Sequence, residues 1–141
     1  MKKLLIAVVL VLSAAACSPA ETPWQKSYGK TFYEPNDGMA ALYIIRDDQD
    51  ASPISISSGQ TPVGSLNGFT WMRLNLPPSL YDLRAFGTEG STELIITVNA
   101  GQSRFFLAEP KATGNAQLRE IPQDEGRRLV RKGQIVASTS P

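Results

Sequence analysis

The residue types on which most catalytic sites depend are scarce in this chain. It has no histidine and a single cysteine, Cys17. Because histidine is the usual general base near neutral pH, its absence excludes serine–histidine and cysteine–histidine catalysis. The common ligands of zinc sites are missing as well. We therefore predict that the protein is not an enzyme and that it uses no metal and no cofactor.

Carboxylates remain, and Asp47, Asp48 and Asp50 lie close together in the sequence. Carboxylate oxygens bind calcium, but this segment lacks the spacing and the glycine of a calcium loop. A solvated hairpin loop is the simpler interpretation.

Two groups of side chains are candidates for binding a partner. Trp71 and Arg73 alternate with Met72 and Leu74 along a predicted strand, so each pair lies on its own face. On an exposed sheet, Trp71 and Arg73 would suit a binding hot spot or a platform for stacking a sugar. Alternatively, Trp71 covers the sheet edge or packs beneath the N-terminal segment.

The second group is a basic cluster near the C-terminus, formed by Arg127, Arg128, Arg131 and Lys132. On a helix, Arg127 and Arg131 share one face, and Arg128 and Lys132 share another. The cluster could contact anionic headgroups or lipopolysaccharide phosphates. It could equally be a solvated helix end that complements the helix dipole.

Residues 1–16 have the three parts of a secretory signal peptide: two lysines, an apolar run and a stretch of small residues. The run is too short to span a membrane stably. Its junction with Cys17 resembles the lipobox of bacterial lipoproteins, whose cysteine receives fatty acyl chains such as palmitate. The resemblance implies that Cys17 is lipidated and tethers a periplasm-facing protein to a membrane. Ser18, by analogy, favours the outer membrane over the inner membrane.

Residues 17–40 are predicted to be a flexible tether, because prolines and small polar residues dominate the segment. Four aromatic residues interrupt it and either dock onto the domain or sit among lipid headgroups. These residues are Trp24, Tyr28, Phe32 and Tyr33.

Residues 41–131 carry short strand patterns separated by turn signals about every 8–12 residues, which predict an all-β antiparallel sandwich of about seven or eight strands. The apolar run Ala41–Arg46 suits a strand buried on both faces. Asn67-Gly68 is the strongest hairpin signal. The acids and bases of residues 124–130 predict a short C-terminal helix after Pro122, although Gly126 weakens it, and residues 132–141 are predicted to be a frayed tail.

The run from Ala41 to Val130 resembles a domain of unknown function in small Gram-negative lipoproteins, with a pattern related to PEGA-type and prealbumin-like sandwiches. Ser79 stands where that family has glycine, so the turn after Pro78 must use an ordinary backbone conformation. The resemblance implies a β-sandwich of the cell envelope without a known activity. It rests on residues 41–46, 62–68, 76–83 and 99–106.

The charge is nearly balanced, with 14 Lys and Arg against 13 Asp and Glu, so we expect no nucleic-acid partner. The leading interpretation is a lipid-anchored, non-catalytic module that binds another envelope protein. Three alternatives stay open: a module that binds peptidoglycan or lipopolysaccharide, a hydrolase that uses Asp or Glu, and an inhibitor that presents a loop to an envelope enzyme.

Overall fold

The computed structural model describes residue 32, residues 34–50, residues 52–139 and residue 141. These residues form an all-β sandwich of two sheets with one short C-terminal helix, as predicted. The elements are β1 (Ala40–Ile45), β2 (Ile54–Ser58), β3 (Thr61–Leu66), β4 (Thr70–Leu76), β5 (Ser79–Phe86), β6 (Ser91–Val98), β7 (Ser103–Pro110), β8 (Ala116–Ile121), α1 (Gln123–Lys132) and β9 (Gln134–Ile135).

The five-stranded sheet has the order β8-β7-β1-β4-β9, and the four-stranded sheet has the order β3-β2-β5-β6. Most neighbouring strands are antiparallel, but β1 pairs with β7 in parallel, and β4 pairs with β9 in parallel. The main core lies between the two sheets. A second apolar cluster lies on the other side of the five-stranded sheet, where α1 packs.

Strand β1 is buried along its whole length, which confirms the prediction from its continuous apolar run. Leu42 and Ile44 point into the main core between the sheets. Tyr43 and Ile45 point to the opposite side and join the cluster beneath α1. Because both faces of this strand are covered, it needs no polar positions.

The predicted hairpin at Asn67-Gly68 is wrong. It joins β3 of one sheet to β4 of the other, so the chain turns a corner between layers. Phe69 adopts a positive φ of 53° there. A side chain on Gly68 would lie 2.6 Å from the carbonyl oxygen of Asp48, so glycine allows the close approach of this corner to the neighbouring loop. The loop at residues 47–50 is likewise a link between the sheets rather than a hairpin.

The helix α1 follows Pro122, as predicted, and carries Asp124 and Glu125 in its first turn with Arg131 and Lys132 in its last. Gly126 is buried against β7, where a Cβ atom would lie 2.3 Å from the Phe105 ring. This glycine therefore allows close packing of the helix on the sheet. Within the described residues, no helix is long and apolar enough to cross a membrane.

The prediction of a frayed tail is wrong as far as Thr139. Gln134 and Ile135 form β9 beside β4, and the backbone N–H of Val136 donates to Trp71 O at 2.8 Å. The backbone N–H of Thr139 then donates to Val63 O of β3 at 2.8 Å. The tail thus runs from the edge of one sheet to the edge of the other.

Candidate binding surface

The structure does not place Trp71 on an exposed platform, so that expectation is wrong. Its side chain is only 1% exposed and belongs to the cluster beneath α1. The ring centroid of Trp71 lies 6.0 Å from that of Tyr43, which stacks on Phe105 at 4.7 Å. Trp71 therefore serves as packing between the sheet and the C-terminal segment, and no sugar ring can stack on it.

Arg73 shares this side of β4 and is half-buried. Its Nε donates to the hydroxyl oxygen of Tyr43 at 3.1 Å, and its guanidinium carbon lies 5.7 Å from the Tyr43 ring centroid. The backbone carbonyl of Arg73 accepts a hydrogen bond from the Ser138 hydroxyl at 2.9 Å. Arg73 thus helps to hold the aromatic cluster and the C-terminal tail together.

The basic cluster divides by helix face, as its spacing predicts. The guanidinium carbons of Arg127 and Arg131 lie 5.2 and 5.4 Å from the ring centroid of Phe32. That ring also contacts the rings of Tyr43 and Phe105, at 5.8 and 6.1 Å. Phe32 therefore docks onto the domain.

Arg128 and Lys132 are exposed, and so is Arg131 despite its contact with Phe32. The remaining aromatic residues of the predicted tether, Trp24, Tyr28 and Tyr33, lie outside the described residues. Cys17 and the predicted signal peptide lie outside them as well.

The aspartate cluster surrounds a buried arginine, Arg46, which is not among the predicted site residues. The Arg46 side chain has no exposed area, and its Nη2 lies 3.0 Å from Asp48 and 3.9 Å from Asp50. Its Nη1 donates to the carbonyl oxygens of Ser52 and Leu66. Because this guanidinium provides the positive charge between the carboxylates, the cluster stabilises the corner between the sheets. No group of metal ligands forms among the described residues.

A depression of about 190 Å³ lies next to Arg46, at the end of the sandwich where three loops meet. Thr88, Lys111 and Asn115 line it. The backbone N–H of Ser52 holds the pKa of Asp50 below its usual value, so this carboxylate stays charged beside Arg46. Arg46 is thus already paired with carboxylates, and Lys111 is a second cation in the lining.

The outer face of the four-stranded sheet is not covered by any described element. Three large apolar side chains are exposed on it: Leu80 at 66%, Ile95 at 59% and Phe86 at 39%. In the register of β5 and β6, Leu80 lies diagonal to Ile95, so the two can make contact. We call this region the Leu80–Ile95 surface; it consists of Leu80, Asp82, Arg84, Phe86, Glu93 and Ile95.

An ion-pair network crosses the middle of the Leu80–Ile95 surface. Nη2 of Arg84 lies 2.8 Å from Asp82 on its own strand and 3.5 Å from Glu93, its direct partner on β6. The hydrogen bond to Asp82 raises the pKa of Arg84 further above its already high value. The surface therefore combines exposed apolar side chains with charges that are paired with each other.

The predicted binding residues do not include this surface, although the alternation along β5 contains a signal for it. Leu80 and Phe86 have the same parity as Asp82 and Arg84, so they point away from the core with them. No protein-family model matches the chain, and no relative was found among curated proteins. The predicted membership of a lipoprotein family thus stays a prediction.

Proposed function

We propose that this protein is a lipid-anchored, non-catalytic module of the bacterial cell envelope that binds another protein through the Leu80–Ile95 surface. Anchoring rests on the lipobox pattern that ends at Cys17. The binding site is proposed because the outer faces of the two sheets differ. The five-stranded sheet is covered by α1 and Phe32, while Leu80 and Ile95 of the four-stranded sheet are exposed to solvent.

The chemistry of the surface favours a protein partner. Interface cores combine exposed apolar side chains with arginine, and charged pairs around them give orientation and specificity. Leu80, Ile95 and Phe86 supply the apolar area, and Arg84 with its two carboxylates supplies the polar part. A partner that presents apolar side chains would be bound without leaving an unpaired charge.

The same features disfavour a glycan or a lipid phosphate as the ligand. With two carboxylates and one guanidinium, the Leu80–Ile95 surface does not attract phosphate groups. Trp71, which would have stacked on a sugar, is buried. The basic residues that would meet phosphates lie on α1, on the opposite side of the sandwich from this surface. Arg127 and Arg131 contact Phe32 there, while Arg128, Arg131 and Lys132 remain exposed.

Site-specific photo-crosslinking of the full chain in intact cells tests the proposal. A photo-reactive phenylalanine analogue replaces Leu80 in one variant and the exposed Arg128, on the opposite side of the sandwich, in a matched control. We expect one dominant adduct with a different protein from position 80 and none from position 128. Adding Phe86→Lys to the chain that carries the probe should reduce the yield of that adduct at least about tenfold. The charged lysine would be buried against apolar atoms of the partner, which is unfavourable.

Equal adducts from both positions would mean that the protein has no preferred binding face. The proposal of a protein partner at this surface would be overturned if position 80 gave no adduct. It would also be overturned if every adduct from position 80 joined two copies of this chain and none contained a different protein. Anchoring is measured separately, by mass spectrometry of the mature N-terminus. A free Cys17 thiol would refute lipidation without touching the result for the surface.

A further inference from the structure

Three of the four sheet edges among the described strands are protected against pairing with another chain. On β3, Pro62 lacks an N–H, the register with β2 shifts, and Thr139 of the tail hydrogen-bonds to the backbone. On β8, Arg119 and Glu120 are exposed and carry charge to the edge. The last edge strand of this sheet, β9, has only two residues. These are the usual ways in which sheets avoid edge-to-edge association.

The fourth edge, β6, is the least protected: Glu93 and the hydrogen bond from Arg104 to the Thr97 carbonyl are the features that blunt it. It runs for eight residues, Ser91–Val98, in unbroken register with β5. It contains no proline, no glycine and no lysine, and Glu93 is its single charged residue. Long, flat, β-branched edges of this kind are templates for the addition of a further strand.

Two hydrogen bonds show which backbone groups of β6 point outward. The turn that joins β5 to β6 is closed by the N–H of Gly87 and the carbonyl of Gly90 at 2.8 Å. The carbonyl of Thr97 accepts a hydrogen bond from Arg104 Nη1 at 2.8 Å instead of from β5. Since hydrogen-bonded and non-bonded pairs alternate in an antiparallel ladder, Glu93, Ile95 and Thr97 direct their backbone groups away from β5.

The charge of Glu93 restricts how two such edges can pair. An antiparallel register centred on Glu93 would place two carboxylates directly opposite each other, which is destabilising. A register centred on Ile95 places the two Ile95 residues opposite each other and sets Glu93 against the neutral Thr97. The Thr97 carbonyl can still accept a bond there, because its second lone pair is free.

We infer that β6 pairs with β6 of a second copy of this chain, antiparallel and on a two-fold axis through Ile95. This pairing joins the two four-stranded sheets into one continuous sheet. It also brings the exposed Ile95 and Leu80 of both copies into one apolar stripe across the axis. The occupant is a second copy because the register centred on Ile95 sets no like charges opposite each other and joins the apolar side chains of both copies, as a self-complementary two-fold interface requires.

The pairing goes beyond the proposed function, since it leaves the outer face of both sheets open to a different partner. Failure of the pairing would therefore leave the expected adduct of position 80 with a different protein unchanged. Photo-crosslinking measures the mass of an adduct formed in cells, whereas disulfide trapping measures the register between two copies of the purified chain.

Disulfide trapping of the full chain in detergent tests the register. Cys17 is the only natural cysteine, so the unmodified chain gives the baseline on a non-reducing gel. With Ile95→Cys, the two sulfur atoms meet at the axis, within the range of a disulfide, and we expect most of the protein to be trapped as a dimer. With the matched control Thr97→Cys, the two cysteines lie four residues apart along the ladder, about 13 Å, and should not bond.

A second variant separates pairing from chance encounters. Ile95→Pro removes an N–H that points away from β5, so the intramolecular ladder is kept and proline is tolerated at an edge. Sedimentation velocity should show a dimer for the unmodified chain and a monomer for Ile95→Pro. A monomeric unmodified chain, a dimer that survives Ile95→Pro, or equal trapping at positions 95 and 97 would each overturn the inference.

Discussion

The two outer faces of the sandwich differ in what covers them. The five-stranded sheet is covered by α1, by Phe32 and by an aromatic cluster in which Trp71 is 1% exposed. The four-stranded sheet has no such cover among the described residues, and Leu80 on it is 66% exposed. The residue types that usually mark a binding site, tryptophan and arginine, thus contribute packing on one face, while aliphatic side chains remain available on the other.

This difference teaches that residue type alone does not locate a binding surface. Arg127 and Arg131 contact the Phe32 ring, and Arg73 contacts the Tyr43 hydroxyl, so these arginines act within the molecule. A binding surface needs exposed side chains that are not already engaged in contacts within the molecule. By that criterion the Leu80–Ile95 surface is the stronger candidate.

The largest effect is expected on the covered face. Trp71→Ala should lower the free energy of unfolding by about 3–5 kcal/mol, because a large buried ring is lost and its cavity is enclosed by the sheet and the tail. Urea denaturation of the full chain in detergent measures this. A loss below about 1 kcal/mol would show that the covered face is not a packed core, and the comparison between the faces would fail.

Phe32→Ala should have a smaller effect on the same face. The ring is half-buried and lies against two guanidinium groups, so we expect a loss of about 1–2 kcal/mol. The matched control is Arg128→Ala, which changes an exposed residue of α1, the helix whose Arg127 and Arg131 contact Phe32. This variant should change the free energy of unfolding by no more than about 0.5 kcal/mol. Equal effects of the two variants would mean that Phe32 is not part of the cover.

Acid should act on the ion pairs between β7 and β8. Hydrogen bonds from Arg119 and Arg104 hold the pKa values of Glu109 and Glu120 below their usual value of 4.5. Because the folded pKa lies below the unfolded one, this stabilisation is complete above pH 4.5 and disappears as the pH falls through the folded values. These exposed pairs contribute about 0.2–1 kcal/mol each.

The free energy of unfolding, measured by urea denaturation between pH 7 and pH 3, should therefore fall less steeply in a chain with Glu109→Gln and Glu120→Gln than in the unmodified chain. Between pH 5 and pH 8 we expect little change in either chain, because there is no histidine to titrate. A marked transition near pH 6 would point to an ionisable group that these contacts do not explain.

The smallest effect is expected on the open face. Leu80→Lys should change the free energy of unfolding by no more than about 0.5 kcal/mol, because the side chain is mostly in water already. The same denaturation series as for Trp71→Ala measures it. A loss of more than about 2 kcal/mol would show that Leu80 is packed against something, and that the second face is covered in solution.

The sequence predicted those features that depend on local pattern. The continuous apolar run of β1 indicated burial on both faces, and the acids and bases around Gly126 indicated the helix. Both follow from neighbours in the chain. The chemistry of a turn does not reveal which strands it connects, however, and so Asn67-Gly68 was assigned to a hairpin when it forms a corner between sheets.

The remaining errors share one cause, which is contact with distant segments. The alternation of Trp71 with Leu74 correctly separates two faces of β4, but only the position of α1, more than fifty residues later, buries the tryptophan. Likewise, residues 134–139 have no strand pattern of their own, and they are ordered because β4 and β3 offer them backbone partners. No window of sequence around these residues contains that information.

The parallel pairing of β1 with β7 has a consequence for the time course of folding. Ala41 lies beside Ser103, so the first strand waits for a neighbour that follows about sixty residues later in the chain. Architectures dominated by such distant pairings fold in roughly milliseconds to seconds, far more slowly than helical bundles. While β1 waits for β7, only the edge that pairs with β4 can be filled. We therefore expect the unfinished chain to be most prone to aggregation before β7 has been added, and a chaperone that shields residues 40–45 would act at that stage.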